Sequence, residues 1–142
     1  MTVCPRENIF DNSWLPIVFF PAVVLFAGCG LGGTGYGKMI EKNGVEVYYT
    51  DKVTKDEADK LLQYLLKSEW GGDRKTIQLN KTGATYEFRM VIKKGVDQDD
   101  EFVQVAKAFA LELSREVFGG ADVDIHFCDE HLRTVRVVVP LR

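Results

Sequence analysis

From Asn12 to Gly37 the chain carries no charged residue, and between Trp14 and Cys29 nearly every side chain is aliphatic or aromatic. A run of that length and hydropathy cannot lie on the surface of a small water-soluble fold, so it must be removed, placed in a bilayer or buried. Pro16, Pro21 and the glycines that follow Ala27 weaken it as a continuous helix. The run therefore separates an N-terminal targeting or anchoring segment from the part of the chain that builds a core.

Leu25-Phe26-Ala27-Gly28-Cys29 closes this run with two small residues and a cysteine. That arrangement resembles the lipobox of bacterial lipoproteins. The resemblance implies that residues 1–28 are a signal peptide, that Cys29 carries a diacylglycerol on its sulfur as the mature N-terminus, and that the protein is held at a membrane of the bacterial cell envelope with its domain outside the cytoplasm. Phe26 stands where leucine is usual, and Arg6 is offset by Glu7 and Asp11, so the n-region is not basic. The same residues can also be read as an uncleaved anchor over 12–37 or as a hairpin buried in the fold. Flanking charge does not choose between orientations, because Arg6 lies before the run and Lys38 and Lys42 after it.

Beyond the run, charge and motif content exclude several functions. The net charge of −3 argues against nonspecific nucleic-acid binding, which needs a basic face to displace counterions. With Cys4 removed and Cys29 lipidated, Cys128 has no partner for an intrachain disulfide. Gly30 to Lys38 fits both G-x-G-x-x-G and G-x-x-x-x-G-K, but Met39 stands where the latter requires Ser or Thr, and the short helix expected around Met39–Lys42 stops at Asn43-Gly44. Residues 29–43 accordingly read as a Gly-rich tether, and the domain as 44–142.

Within 44–142 the hydrophobic period alternates between two and 3.6. Val45–Thr50 reads as a half-buried strand. Thr54 and Glu57 form a capping box, followed by Ala58, Leu61, Leu62, Leu65 and Leu66 on one helical face, with Trp70 beside a Gly71-Gly72 stop. Lys75–Leu79 and Ala84–Lys93 read as a hairpin around Asn80–Gly83. Asp97, Asp99, Asp100 and Glu101 precede a second helix whose expected buried stripe is Phe102, Val105, Ala106, Phe109, Leu113 and Val117. Val123–Cys128 and Thr134–Val139 complete the pattern, and a loop from Asp129 to Arg133 would pair Phe127 with Val135, Ile125 with Val137 and Val123 with Val139.

The order β-α-β-β-α-β-β predicts an α+β fold that resembles the ferredoxin-like split βαβ sandwich with an extra C-terminal edge strand. Both crossovers would be right-handed, both helices would lie on one face, and the strand order would be 5-4-1-3-2. The opposite sheet face would be open. Alternation places Tyr48, Arg89, His126 and Arg136 there, a platform suited to an anionic small ligand or a protein partner. A second cluster, His126, Cys128 and His131, has ligand types compatible with zinc or copper. No catalytic motif is present, so a binding or assembly role is expected in preference to an enzyme, with no cofactor beyond that metal.

Overall fold

The computed structural model describes residues 35–68 and 74–141. The chain divides into units 1–30 and 31–142, and all described residues belong to the second. The lipobox, Cys29, most of the anchor segment and Trp70 with its glycines therefore lie outside the described residues. Among the described residues no helix is long and apolar enough to cross a membrane.

The elements are β1 (Lys38–Lys42), β2 (Val45–Tyr49), α1 (Lys55–Lys67), β3 (Lys75–Thr82), β4 (Thr85–Val91), a 3-10 turn (Val96–Gln98), α2 (Asp100–Glu116), β5 (Val123–Cys128) and β6 (Thr134–Val138). They form an α+β domain with one six-stranded mixed sheet in consecutive order. Three antiparallel hairpins stand side by side, joined by the parallel pairings of β2 with β3 and β4 with β5. A helix crosses over each parallel pairing.

Turn chemistry accounts for the first two hairpins. Asn43 (φ 52°) and Gly44 (φ 80°) are both left-handed, the requirement of the two-residue turn whose twist matches paired strands. The Asn-Gly pair that reads as a helix stop is thus a hairpin turn, and residues 38–42 are a strand instead of a helix or tether. Gly83 (φ 60°) and Ala84 form the second turn, between the paired Thr82 and Thr85. β3 runs on to Thr82, past the expected end at Leu79, while β4 starts at Thr85, one residue after the expected Ala84. The resulting register differs from the expected one by an even number of residues, so each side chain keeps its face.

The first helix begins as its sequence predicts. Thr54 Oγ1 accepts from the Glu57 backbone N–H at 3.3 Å, and Glu57 Oε2 accepts from the Thr54 N–H at 2.8 Å. Such a cap contributes about 1 kcal/mol. On α2, Asp99 is the N-cap and receives the Glu101 and Phe102 N–H groups. The buried stripe is Val103, Ala106, Ala110 and Leu113, flanked by the partly buried Phe102 and Phe109. Val105, expected inside, is 59% exposed. The two flanking phenylalanines set the helix rotation, Phe102 against Phe127 and Phe109 edge-on to Phe88, both pairs with centroids 5.3 Å apart.

Both helices cover the same sheet face. Ala58, Leu61, Leu65, Ala110 and Leu113 join one core with Val47, Ile77, Leu79, Phe88, Ile125 and Phe127, and the Tyr64 hydroxyl of α1 donates to the Glu112 carboxylate of α2. Strands β2 and β3 run opposite to β4 and β5, yet both crossovers step the same way across the sheet. Two such crossovers on one face have opposite hands, so one of them is left-handed, against the strong general preference.

This overturns the expected 5-4-1-3-2 order and the pair of right-handed crossovers. The cause is β1. A split βαβ sheet needs both edges of the strand at 45–49 for later strands, but the Asn43-Gly44 hairpin fills one edge with β1, and β3 takes the other. Strand β5 then pairs beside β4 instead.

The third hairpin holds a further departure. Cys128 pairs with Thr134, consistent with the expected loop, but a bulge between Phe127 and Cys128 shifts the rest of the ladder by one residue. Phe127 then lies opposite Arg136, His126 opposite Val137, and Ile125 opposite Val138. A one-residue slip exchanges the two faces of a strand. Val138 is buried at 3% exposure, whereas Val135, Val137 and Val139 are exposed by 54%, 45% and 48%.

Candidate functional site

The face of the sheet away from the helices carries a continuous cross-strand row. Met39 of β1 pairs with Tyr48 of β2, Tyr48 with Gln78 of β3, Gln78 with Arg89 of β4, Arg89 with His126 of β5, and His126 with Val137 of β6. Period-two alternation puts these residues on one side, and the strand pairing places three of the four expected binding residues, Tyr48, Arg89 and His126, in line.

Arg136 does not join them. The bulge turns it to the helix side of the sheet, where its Nη1 donates to the carbonyl of Asp97 in the 3-10 turn. Two guanidinium forks on the open face are therefore not available.

The row is tied into the fold at several points. Gln78, 5% exposed, donates from Nε2 to the Tyr36 carbonyl at 2.8 Å, and the Tyr36 ring meets Tyr48 edge-on with centroids 5.7 Å apart. The chain entering β1 therefore lies over this part of the face. Glu46, also 5% exposed, accepts from Arg74 Nε at 2.8 Å, from Arg74 Nη2, and from Thr76 Oγ1 at 3.2 Å. Glu87 accepts from Thr82 Oγ1 at 2.6 Å and Asn80 Nδ2 at 2.8 Å. Burial alone would raise the Glu87 carboxyl, but those two donors and the charges of His126 and Arg89 hold it below the usual range.

Arg89 works mainly inside the protein. Its Nη2 donates to the Leu132 carbonyl at 2.8 Å and to Thr134 Oγ1 at 3.2 Å, clamping the Asp129–Arg133 loop, while its Nε is buried with no partner. Beside it, His126 Nδ1 lies 3.1 Å from Thr134 Oγ1. Burial pushes the His126 pKa down and the Arg89 charge lowers it further, against the opposing effect of Glu87 and Asp124. Burial and Arg89 thus both favour the neutral form of the imidazole.

The expected metal cluster is not assembled. Among the described residues no group of three or more His, Cys, Asp or Glu side chains is placed to hold a metal ion. Cys128 is fully buried, its Sγ 3.5 Å from the His126 carbonyl and 4.0 Å from Thr134 Oγ1. His131 sits in the loop with its imidazole exposed beside Glu130 at 3.5 Å. Its backbone N–H, with that of Arg133, donates to Asp129 Oδ1, which shapes the turn. Sharing a short stretch of sequence does not bring the three side chains to one point.

A cleft of about 660 Å³ opens at the end of the sheet where β3 begins and β4 ends, lined by Ile77, Met90, Phe102, Val105 and Phe109 with Tyr36, Arg74 and Glu130 among its polar neighbours. Its described lining holds no His or Cys. Sequence reasoning missed this cleft, the buried Glu46 and Gln78, and the apolar strip on β6. The run Val135-Arg-Val-Val-Val139 carries valine on both faces, so alternation alone could not say which face is buried.

No curated protein and no solved structure matches the chain. One family model does, that of AF_1994_N, described as a family N-terminal domain, and it spans residues 39–138. That range runs from the second residue of β1 to the end of β6 and so takes in all six strands of the sheet. The chain therefore belongs to the AF_1994_N N-terminal domain family.

Proposed function

We propose that this chain is a membrane-tethered assembly module of a bacterial cell envelope: residues 1–28 direct export, a lipid on Cys29 or an uncleaved anchor holds the chain at the membrane, and the sheet domain binds a protein partner. The observation that carries the binding role is the one-sidedness of the domain. Both helices cover one face, while the other bears Met39, Tyr48, Arg89, His126 and Val137 in one row and ends at an apolar edge strand. Arg89 is committed to the loop carbonyl and Arg136 to the helix side, which disfavours the small-anion alternative and favours a partner recognised by shape and apolar contact.

Photo-crosslinking residues installed at Tyr48 and His126, with Lys60 on α1 as the control, test this role. Protein adducts from the first two positions and none from Lys60 are expected. Equal adducts from all three, or none from the sheet face, would overturn it. Intact mass of the membrane-extracted protein tests the tether separately. A diacylglyceryl-modified chain starting at Cys29, lost in Cys29→Ser, is the expected result, and an unmodified soluble chain refutes the tether.

A further inference from the structure

Among the described residues, β1 and β6 are the two edge strands of the sheet, and they differ in character. On β1 the outer strand reads Lys38-Met-Ile-Glu-Lys42, with both lysines and the glutamate exposed. Edge charges of this kind discourage strand addition. On β6, Val137 faces the open side through its pairing with His126, and Val135, left unpaired by the bulge, and Val139, just past the strand, are likewise close to half exposed; none of the three is charged. The one charged residue of that strand, Arg136, is turned to the other side and held by the Asp97 carbonyl. Pro140 ends the segment, and without an N–H it cannot extend a ladder.

We propose that β6 pairs antiparallel with β6 of a second copy of this chain, joining two six-stranded sheets across a two-fold axis at Val137. This rests on the assembly reading above and names its partner. In that register Val135 meets Val139 of the second copy at both ends of the contact, Val137 meets its own counterpart, and Arg136 lies opposite Val138, so no like charges face one another. The same operation on β1, centred on Ile40, sets Lys38 against Lys42 at both ends and is repelled. Pairing β6 with β1 of another copy leaves a free edge at each end and would run on without closure. The β6 pairing closes and leaves only the charged β1 edges outermost.

Sedimentation of the intact chain in mild detergent at several concentrations, corrected for bound detergent, tests the proposal through two variants of equal polarity. Val135→Lys with Val139→Lys places lysine against lysine across the axis and should weaken dimerisation at least tenfold. Val135→Lys with Val139→Glu places lysine against glutamate at both ends and should retain the dimer. A wild-type chain that stays monomeric, or a dimer that survives in both variants, overturns the proposal. If either double variant fails to fold by circular dichroism, Val137→Lys, at a half-exposed site on the axis, replaces it and should give monomer; a retained dimer there overturns the pairing equally. Adducts from Tyr48 to a different protein, seen alongside a monomeric wild type, would leave the assembly role standing while removing self-pairing.

Discussion

The bulge on the third hairpin makes adjacent valines energetically unlike, and truncating each in turn measures it. Val138 is 3% exposed opposite the fully buried Ile125, whereas Val137 is 45% exposed on the other face. Val138→Ala removes the equivalent of two buried methylene groups, about 1.6 kcal/mol at roughly 0.8 kcal/mol each, and adds a small cavity cost, for a total of about 2 kcal/mol. Val137→Ala removes surface that is already half in water on an edge strand and costs about 0.5 kcal/mol. Urea unfolding of the intact chain, followed by circular dichroism, separates them. At roughly 1–1.5 kcal/mol per molar urea for a domain of this size, the midpoint should fall by about 1.5 M for Val138→Ala and by less than about 0.5 M for Val137→Ala. Repeating each curve at two protein concentrations exposes any contribution from pairing through β6. A larger loss for Val137→Ala than for Val138→Ala would mean that the loop-end register continues through the strand, and would refute the bulge and the valine strip together.

Three further outcomes are expected. Burial alone would raise the Glu57 carboxyl, but hydrogen bonds from Tyr86 and Thr54 and the nearby Lys81 hold it below the ordinary carboxylate range. A depressed folded-state pKa contributes stability that is present above the unfolded value and lost as pH falls through the folded one, so wild type should lose more stability than Glu57→Gln between about pH 5 and 3; equal losses refute the role. A Cβ on Gly37 (φ 96°) would sit 2.3 Å from the Tyr49 carbonyl oxygen, while one on Gly44 (φ 80°) meets nothing within 4 Å. Gly44→Ala should cost about 1 kcal/mol from backbone strain alone and Gly37→Ala clearly more, and the reverse order in melting temperature would contradict the path of the chain over β2. In NMR titration His126 should protonate below the ordinary histidine value, since its burial and Arg89 both oppose the charge, and stability should fall as pH drops through that range; a raised value would contradict its half-buried placement.

What could be read from the sequence was what neighbours along the chain decide. The capping box at Thr54 and Glu57, the alternation that puts Val47, Ile77, Phe88 and Ile125 on one face, and the placing of Tyr48, Arg89 and His126 on the other follow from contacts within a few residues or from the two-residue repeat of a strand. The hairpin at Gly83 shows how tolerant that reading is, since a misplaced turn kept its faces because the error was even. Strand order was not legible, because it is settled by competition for edges between segments far apart in sequence. The Asn43-Gly44 turn gave one edge of β2 to β1 and excluded the split arrangement, at the expense of a crossover of the less favoured hand. Arg136 was misplaced for a related reason: valines at 135, 137, 138 and 139 satisfy either face, and only the packed sheet, by burying Val138 against its core, determined which register they take. The faces of the regular strands are thus local properties of this chain, whereas the face that Arg136 and Val138 take, which strands meet, and whether His126, Cys128 and His131 converge depend on burial that exists only once the whole sheet has formed.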